Sequence, residues 1–217
     1  VGKEIKRGAT VQLVYCEAGA ESQLASPLHF FLSPKSAYVS AQVVRVGAAG
    51  FDAQSFDWDK PLAGKQALVT GGSRGIGASI ARVLARDGAE VTVLDIPPMA
   101  EDLNKVAEEI GGLGVPCDVT READIQTLVA TTEAAFGPID LFCSNAGLAQ
   151  GEPSHAASAS NDVWARAWAV HVMAHVHAAR AVLPGMIERG SGYLLQMASA
   201  AGLLSQIGDA AYSTTKH

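Results

Sequence analysis

Basic charge is scarce in this chain: Lys and Arg total 16 against 22 Asp and Glu, a net charge of −6 over 217 residues. That excludes nucleic acid and anionic membrane as partners, since both need clustered cations. Only three cysteines occur, Cys16, Cys117 and Cys143, at no metal-ligand spacing. An odd, unpaired set reads as reduced thiols of a cytoplasmic protein. No apolar run approaches the roughly 18 residues that span a bilayer. The opening VGKEIKRGAT has no apolar segment behind its charges, so no secretory signal is read. An initiator Met is also missing, which reads as an internal piece of a longer protein. Charged residues make up 18%, too few for a disordered tail, while 48% hydrophobic residues supply a sizeable core. At about 150 residues per domain, the length suits one domain and a substantial extra piece.

Residues 48–61 combine Gly, Ala, Asp, Ser and a Pro without helical or strand period, and read as a linker between two blocks. The block 62–217 alternates strand-like and helix-like segments. Apolar runs at 66–70, 90–96, 114–119, 139–144 and 193–199 predict five strands. Helical spacing predicts helices over 76–87, 101–110, 122–136 and 162–188, the last bent near Pro184. Five strands joined by helical crossovers demand a doubly wound parallel α/β sheet. The shorter block 1–47 predicts strands at 10–16 and 37–46 around a helical turn at 27–32.

The run TGGSRGIG (70–77) follows the first strand of the larger block and opens its first helix. Glycines at 71, 75 and 77 permit a tight turn and close approach of backbone to a pyrophosphate, and a helix N-terminus supplies N–H groups and partial positive charge. Ser73, Arg74 and Ile76 belong to the same loop. Asp95, at the end of the second strand, is placed to accept from the ribose hydroxyls of NAD. A 2′-phosphate there would meet a like charge at about 4 Å, costing about 1 kcal/mol in water and about 4 kcal/mol at a half-buried site. Arg74 pulls the other way. NAD(H) is favoured and NADP(H) stays open.

Tyr212 and Lys216 stand four apart, on one face of a helix. A free phenol, with a pKa near 10, is a poor acid–base group at neutral pH unless a cation stabilises its phenolate, which a neighbouring ammonium does. Together TGGSRGIG, CDV (117–119), SNAG (144–147), Ser199 and YSTTK (212–216) resemble the short-chain dehydrogenase/reductase family, from about Leu62 to His217. The resemblance implies a nicotinamide-dependent oxidoreductase with a Rossmann fold. Tyr212 would exchange the proton, Lys216 activate it and Ser199 hold the carbonyl oxygen, with Tyr212 and Lys216 also binding cofactor. Asp118 and Val119 would border the adenine, and Asn145, Ala146 and Gly147 would line the cofactor. It also implies that a sixth strand and a substrate-covering loop should follow Lys216, so the fold reads as incomplete at the C-terminus.

One position departs from that pattern. His171 stands in Val170–Ala174 where the family usually has an Asn that organises a proton relay. An imidazole, with a pKa near 6.5, can serve a relay or be structural; both readings stay open. His171, His175 and His177 invite a metal reading, but no further ligand is visible nearby, and no metal is read. Trp164 and Trp168 read as core or subunit contacts. The Ala-rich helix 162–183 reads as the contact of a homo-oligomer, as in the family.

The first block resembles the closing segment of the same family, with Ala41 where a glycine is usual. Residues 1–47 thus look like the tail of a preceding degenerate reductase-like domain, an arrangement similar to high-molecular-weight 3-oxoacyl-acyl-carrier-protein reductases of fatty acid metabolism. The expected function is interconversion of a carbonyl and a secondary alcohol by hydride transfer, with 3-oxoacyl thioesters the best substrate guess. The alternatives are a dehydrogenase of another substrate, a cofactor-binding fragment without activity and, for residues 1–47 alone, a docking segment.

Overall fold

The computed structural model of the chain describes residues 9–48, 56–148, 156–204 and 208–217. The chain divides into two compact units, Val1–Trp58 and Asp59–His217. Half of the expected linker, residues 49–55, lies outside the described residues.

In the larger unit five parallel strands lie in the spatial order β5-β4-β3-β6-β7, where β3 is Gln66–Thr70, β4 Glu90–Asp95, β5 Leu113–Pro116, β6 Leu141–Ser144 and β7 Tyr193–Gln196. Helical crossovers connect them: α2 (Gly75–Arg86), α3 (Ala100–Ile110), α4 (Glu122–Phe136), and a longer passage through α5 (Asn161–Trp168) and α6 (Ala174–Arg189). A last helix, α7, spans Ala210–Thr215. Strand β3 is buried at all five positions, as a central strand covered on both faces must be. Its side chains alternate between two cores. Ala67 and Val69 join Val91, Val93, Ala78, Ala81 and Leu103 under α2 and α3. Leu68 joins Leu94, Phe142, Ile125, Leu128 and Ala178 under α4 and α6. Leu68 and Phe142 have no exposed surface, and burying each stabilises the fold by about 1.5–3 kcal/mol.

Three of the five expected strands are shorter than their apolar runs by two residues or more. The run 114–119 pairs only to Pro116, because Asp118 turns its carboxylate onto Thr120 N and Oγ1 and closes a turn before α4. Pairing begins at Leu141 rather than 139 and ends at Gln196 rather than 199. The expected single helix over 162–188 is broken not at Pro184, which stays inside α6, but at a π-helical turn, Ala169–Met173. Such a turn widens the helix by one residue and is frequent at functional sites. Here it carries His171.

The smaller unit holds β1 (Leu13–Cys16) and β2 (Val43–Val46), paired in parallel and connected through α1 (Ala25–Phe31). The expected strand over 37–46 exists only from Val43. Ala37 and Val39 instead hydrogen-bond back to Pro34 O and Ser36 O, and Ala41 has φ +59°. That is left-handed backbone at a non-glycine residue, held by Ala41 N donating to Val11 O at 2.7 Å.

Candidate active site at the carboxyl ends of the strands

The strand order reverses direction between β3 and β6, and the loops leaving those two strands diverge there to opposite faces of the sheet. In a parallel sheet such a crevice at the carboxyl ends is where ligands bind. The chain closes it from below with side-chain hydrogen bonds. Thr70, the last residue of β3, accepts from Asn145 N and Ala146 N, both at 2.8 Å, and its own carbonyl accepts from Asn145 Nδ2 at 3.0 Å. The glycine loop is therefore tied to the segment after β6.

Glycine is required here by space as well as by conformation. A Cβ on Gly77 would lie 2.0 Å from Gly71 O, and one on Gly72 would lie 2.7 Å from Val93 Cβ. Gly71 adopts φ +68° and presses against Ala146 Cα. Gly75, at φ +57°, faces open space. Ile76 is 65% exposed at the start of α2, and Arg74 is exposed at its N-cap. The first-turn N–H groups of α2, at Gly75, Ile76 and Gly77, have no intrahelical acceptors. Backbone packed this tightly, with open room at Gly75, fits the pyrophosphate of a dinucleotide.

Asp95, half-buried at the end of β4, accepts from Ser73 Oγ at 2.6 Å, from Ser73 N at 3.3 Å and, on its other oxygen, from Ile96 N at 2.9 Å. Ser73 is buried, so its hydroxyl serves the carboxylate rather than the crevice. Arg74, exposed at the N-cap of α2, makes no hydrogen bond with Asp95. Asp118 and buried Val119 lie in the turn after β5, on the same rim.

The catalytic candidates gather on the other side of β6. Lys216 is buried, and its Nζ donates to Met197 O at 2.9 Å, at the end of β7. Burial holds its pKa below the ordinary lysine value. Ser199 Oγ accepts from Ala201 N at 3.2 Å and starts a short turn, Ala200–Gly202, that packs on the end of α7; a Cβ on Gly202 would meet Lys216 O at 2.3 Å. Tyr212 lies on α7, whose start is capped by Asp209 accepting from Tyr212 N. Its ring meets that of His171 edge to face, centroids 5.3 Å apart. A Cβ on Gly147 would be 3.5 Å from Lys216 Nζ and 3.6 Å from His171 Nε2, so the SNAG segment, Lys216 and His171 share one small volume.

The histidines each engage a protein partner. His171 Nε2 accepts from Leu148 N at 3.1 Å, and its Nδ1 contacts Thr215 Oγ1 at 2.8 Å. His175 Nδ1 meets Ser144 Oγ at 2.6 Å, and His177 Nδ1 donates to Val119 O at 3.3 Å. Burial, then the Lys216 charge, pushes His171 down to about 4 and lowers His175 as well. Cys117 and Cys143 are pushed up by burial to about 12 and about 11, which makes both inert core thiols. Sequence reasoning gave no role to Thr70, Ser144 and Thr215, and weighed His175 only as a metal ligand. Only Thr70 carried a signal, as the hydroxyl residue between a strand and its first glycine.

Among known proteins, the short chain dehydrogenase family matches residues 65–217. Oxidoreductase UcpA of Salmonella typhimurium is 36% identical over 71% of this chain and 59% of its own length. D-threitol dehydrogenase of Mycolicibacterium smegmatis is 34% identical over 75% of this chain and 63% of its own. D-beta-hydroxybutyrate dehydrogenase of Rhizobium meliloti is 32% identical over 70% and 60%. The crystal structure of the apo form of LigO from Sphingobium sp. strain SYK-6 superposes with a TM-score of 0.67 at 32% identity, covering 71% of this chain and 58% of that one. The chain thus spans less than two thirds of the length of each. Among the described residues no helix is long and apolar enough to cross a membrane. With a glycine loop, parallel sheet and Tyr–Lys helix in one crevice, and a family match over most of the larger unit, the chain belongs to the short-chain dehydrogenase family.

Proposed function

We propose that the larger unit serves a nicotinamide-dependent oxidoreductase that interconverts a small secondary alcohol and its carbonyl. The observation that carries this is the convergence of Lys216, Tyr212 and the Ser199 turn beside the SNAG segment, across β6 from a glycine loop built for a pyrophosphate. The nicotinamide, when bound, supplies or accepts the hydride. Asp95 takes the ribose hydroxyls, which favours NAD(H), while Gly71, Gly75, Ile76 and Gly77 cradle the pyrophosphate and Asp118 and Val119 border the adenine. Ser199, whose oxygen accepts from Ala201 N, retains its hydroxyl proton to donate to a carbonyl oxygen. Tyr212 exchanges the proton at that oxygen, and the Lys216 ammonium favours its anionic form.

The 3-oxoacyl-thioester reading rests on resemblance of the N-terminal half alone. The names of the relatives point to D-threitol and D-beta-hydroxybutyrate instead, which supports the broader alcohol/carbonyl class. Residues 1–47 fit the tail of a preceding reductase-like domain, supported by a parallel strand pair crossing through α1 and by left-handed backbone at Ala41. A homo-oligomer through α5 and α6 is supported by Ala165 and Trp168, which face outward, although Ala167, Ala174 and Ala178 are committed to the core. Light scattering that finds only monomer at tens of micromolar would remove that assembly.

The decisive experiment is a turnover assay with NADH and NADPH on acetoacetate, an acetoacetyl thioester and a ketotetrose, and in reverse on the corresponding alcohols. Tyr212→Phe should lower kcat by about 10²–10⁴-fold, the ordinary contribution of general acid–base catalysis, with NADH affinity retained. Nicotinamide binding without turnover on any member would favour a cofactor-binding role instead.

A further inference from the structure

We propose that His171 is a positioning residue, a fixed strut that holds the segment after β6 against α7, and that no proton passes through it during turnover. This rests on the reading of Tyr212 and Lys216 as the acid–base pair.

The hydrogen-bond inventory of the ring carries the argument. A backbone N–H can only donate, so the bond from Leu148 N requires a lone pair on His171 Nε2. The proton of the uncharged ring is then on Nδ1, which donates to Thr215 Oγ1. That hydroxyl passes its own proton on to Ala211 O at 2.7 Å. Both ring nitrogens and the hydroxyl beyond them are therefore satisfied, in one direction only. A relay through the ring would need Nε2 to accept a proton and release the Leu148 amide, which is the contact that ties the end of the SNAG segment to the ring.

The surroundings reinforce this. The ring is 2% exposed. The titratable groups facing it are Tyr212 on α7, Lys216 at the C-cap of α7 and His175 one turn along its own helix passage. Protonation would place a second cation beside Lys216 in a buried volume, which agrees with the ring's depressed basicity. The π-helical turn Ala169–Met173 is what aims the ring. From it the imidazole reaches Leu148 on one side and Thr215 on the other, and its flank lies edge to face with Tyr212. One side chain thus fixes the spacing between the cofactor-lining SNAG segment and the helix that carries both proposed acid–base residues.

Asn and Gln divide the two contacts. An Asn amide reaches the position of Nδ1 only, and a Gln amide that of Nε2 only. The first measurement is a long-range ¹⁵N–¹H spectrum of the unmodified protein from pH 5.5 to 9. His171 should show a single Nδ1–H form that does not titrate. Titration in that range, or an Nε2–H form, overturns the proposal. The second is the pH dependence of kcat for the unmodified protein, His171→Asn and His171→Gln. We expect the same inflections in all three. His171→Asn should lose about tenfold in kcat, from leaving a buried amide without its acceptor, and His171→Gln should recover most of it. Loss of an inflection in His171→Asn would mean a relay, and unchanged kcat and KM in both variants would mean no positioning role. If the unmodified protein neither binds NADH nor turns over, the oxidoreductase reading fails separately, and the ring spectrum still decides the state of His171.

Discussion

The Ser73 hydroxyl donates to the Asp95 carboxylate at 2.6 Å, so the acidic end of β4 is oriented by the glycine loop itself. Ile96 N holds the other oxygen, and the carboxylate cannot swing away from an incoming ribose. A 2′-phosphate would meet it at fixed close range. Asp95→Ala should therefore narrow the preference for NADH over NADPH by about 5- to 1000-fold, since the like-charge cost is about 1 kcal/mol in water and about 4 kcal/mol at a half-buried site. Ser73→Ala should narrow it less, because the charge remains. Dissociation constants from nicotinamide fluorescence check both, and tighter binding of NADPH by the unmodified protein would show that Arg74 dominates.

Two glycines of the loop should respond to very different degrees. Gly77→Ala sets a methyl 2.0 Å from Gly71 O, a backbone atom that cannot yield, so the loop must open. We expect NADH affinity to fall by more than about 100-fold, with a clear drop in melting temperature. Gly75→Ala meets no atom within 4 Å and carries only the strain of φ +57°, roughly 1–2 kcal/mol. Thermal melts and titrations on the two variants separate crowding from conformational strain.

Acid should weaken the fold through His171. Its pKa in the folded chain is about 4, below the ordinary 6.5, because burial and the Lys216 charge disfavour the cation. Between those values the unfolded chain binds the extra proton and the folded chain does not, so stability rises with pH across that window. The contribution is complete above about pH 6.5 and is lost as pH falls toward 4, and it amounts to roughly 3 kcal/mol. His171→Gln lacks a titrating ring, so its urea midpoint should fall less between pH 7.5 and 5 than that of the unmodified protein. Equal falls would mean that other groups set the acid limit.

In the smaller unit, Ala41→Gly should raise stability. The native backbone at φ +59° costs a non-glycine residue about 1–2 kcal/mol, partly offset by the extra freedom glycine has when unfolded. A rise of a few degrees in the transition of that unit is expected, and a fall would mean that the Ala41 methyl packs to advantage.

The larger unit was legible because its signals are local. Alternation of Ala67, Leu68 and Val69 between two cores follows from the pleat, and Gly77 is demanded by backbone contact within one turn of chain. Tyr212 and Lys216 share a helix face by spacing alone. Strand ends were less legible, because they depend on where a side chain such as Asp118 diverts the backbone.

What the amino-acid order decided by itself was the sheet, the glycine loop and the chemical types at its rim. Tertiary structure alone decided how these groups are used. Thr70 grips Asn145 and Ala146 across 75 and 76 residues of sequence, Ser73 turns to Asp95 instead of to the crevice, and Lys216 anchors on Met197 O. The identity of residue 171 could suggest a titrating relay, but its hydrogen-bond partners come from Leu148 and Thr215, 23 and 44 residues away. The physical reason is that a side chain's protonation depends on burial and on what its atoms touch, and both are settled only when distant segments pack together.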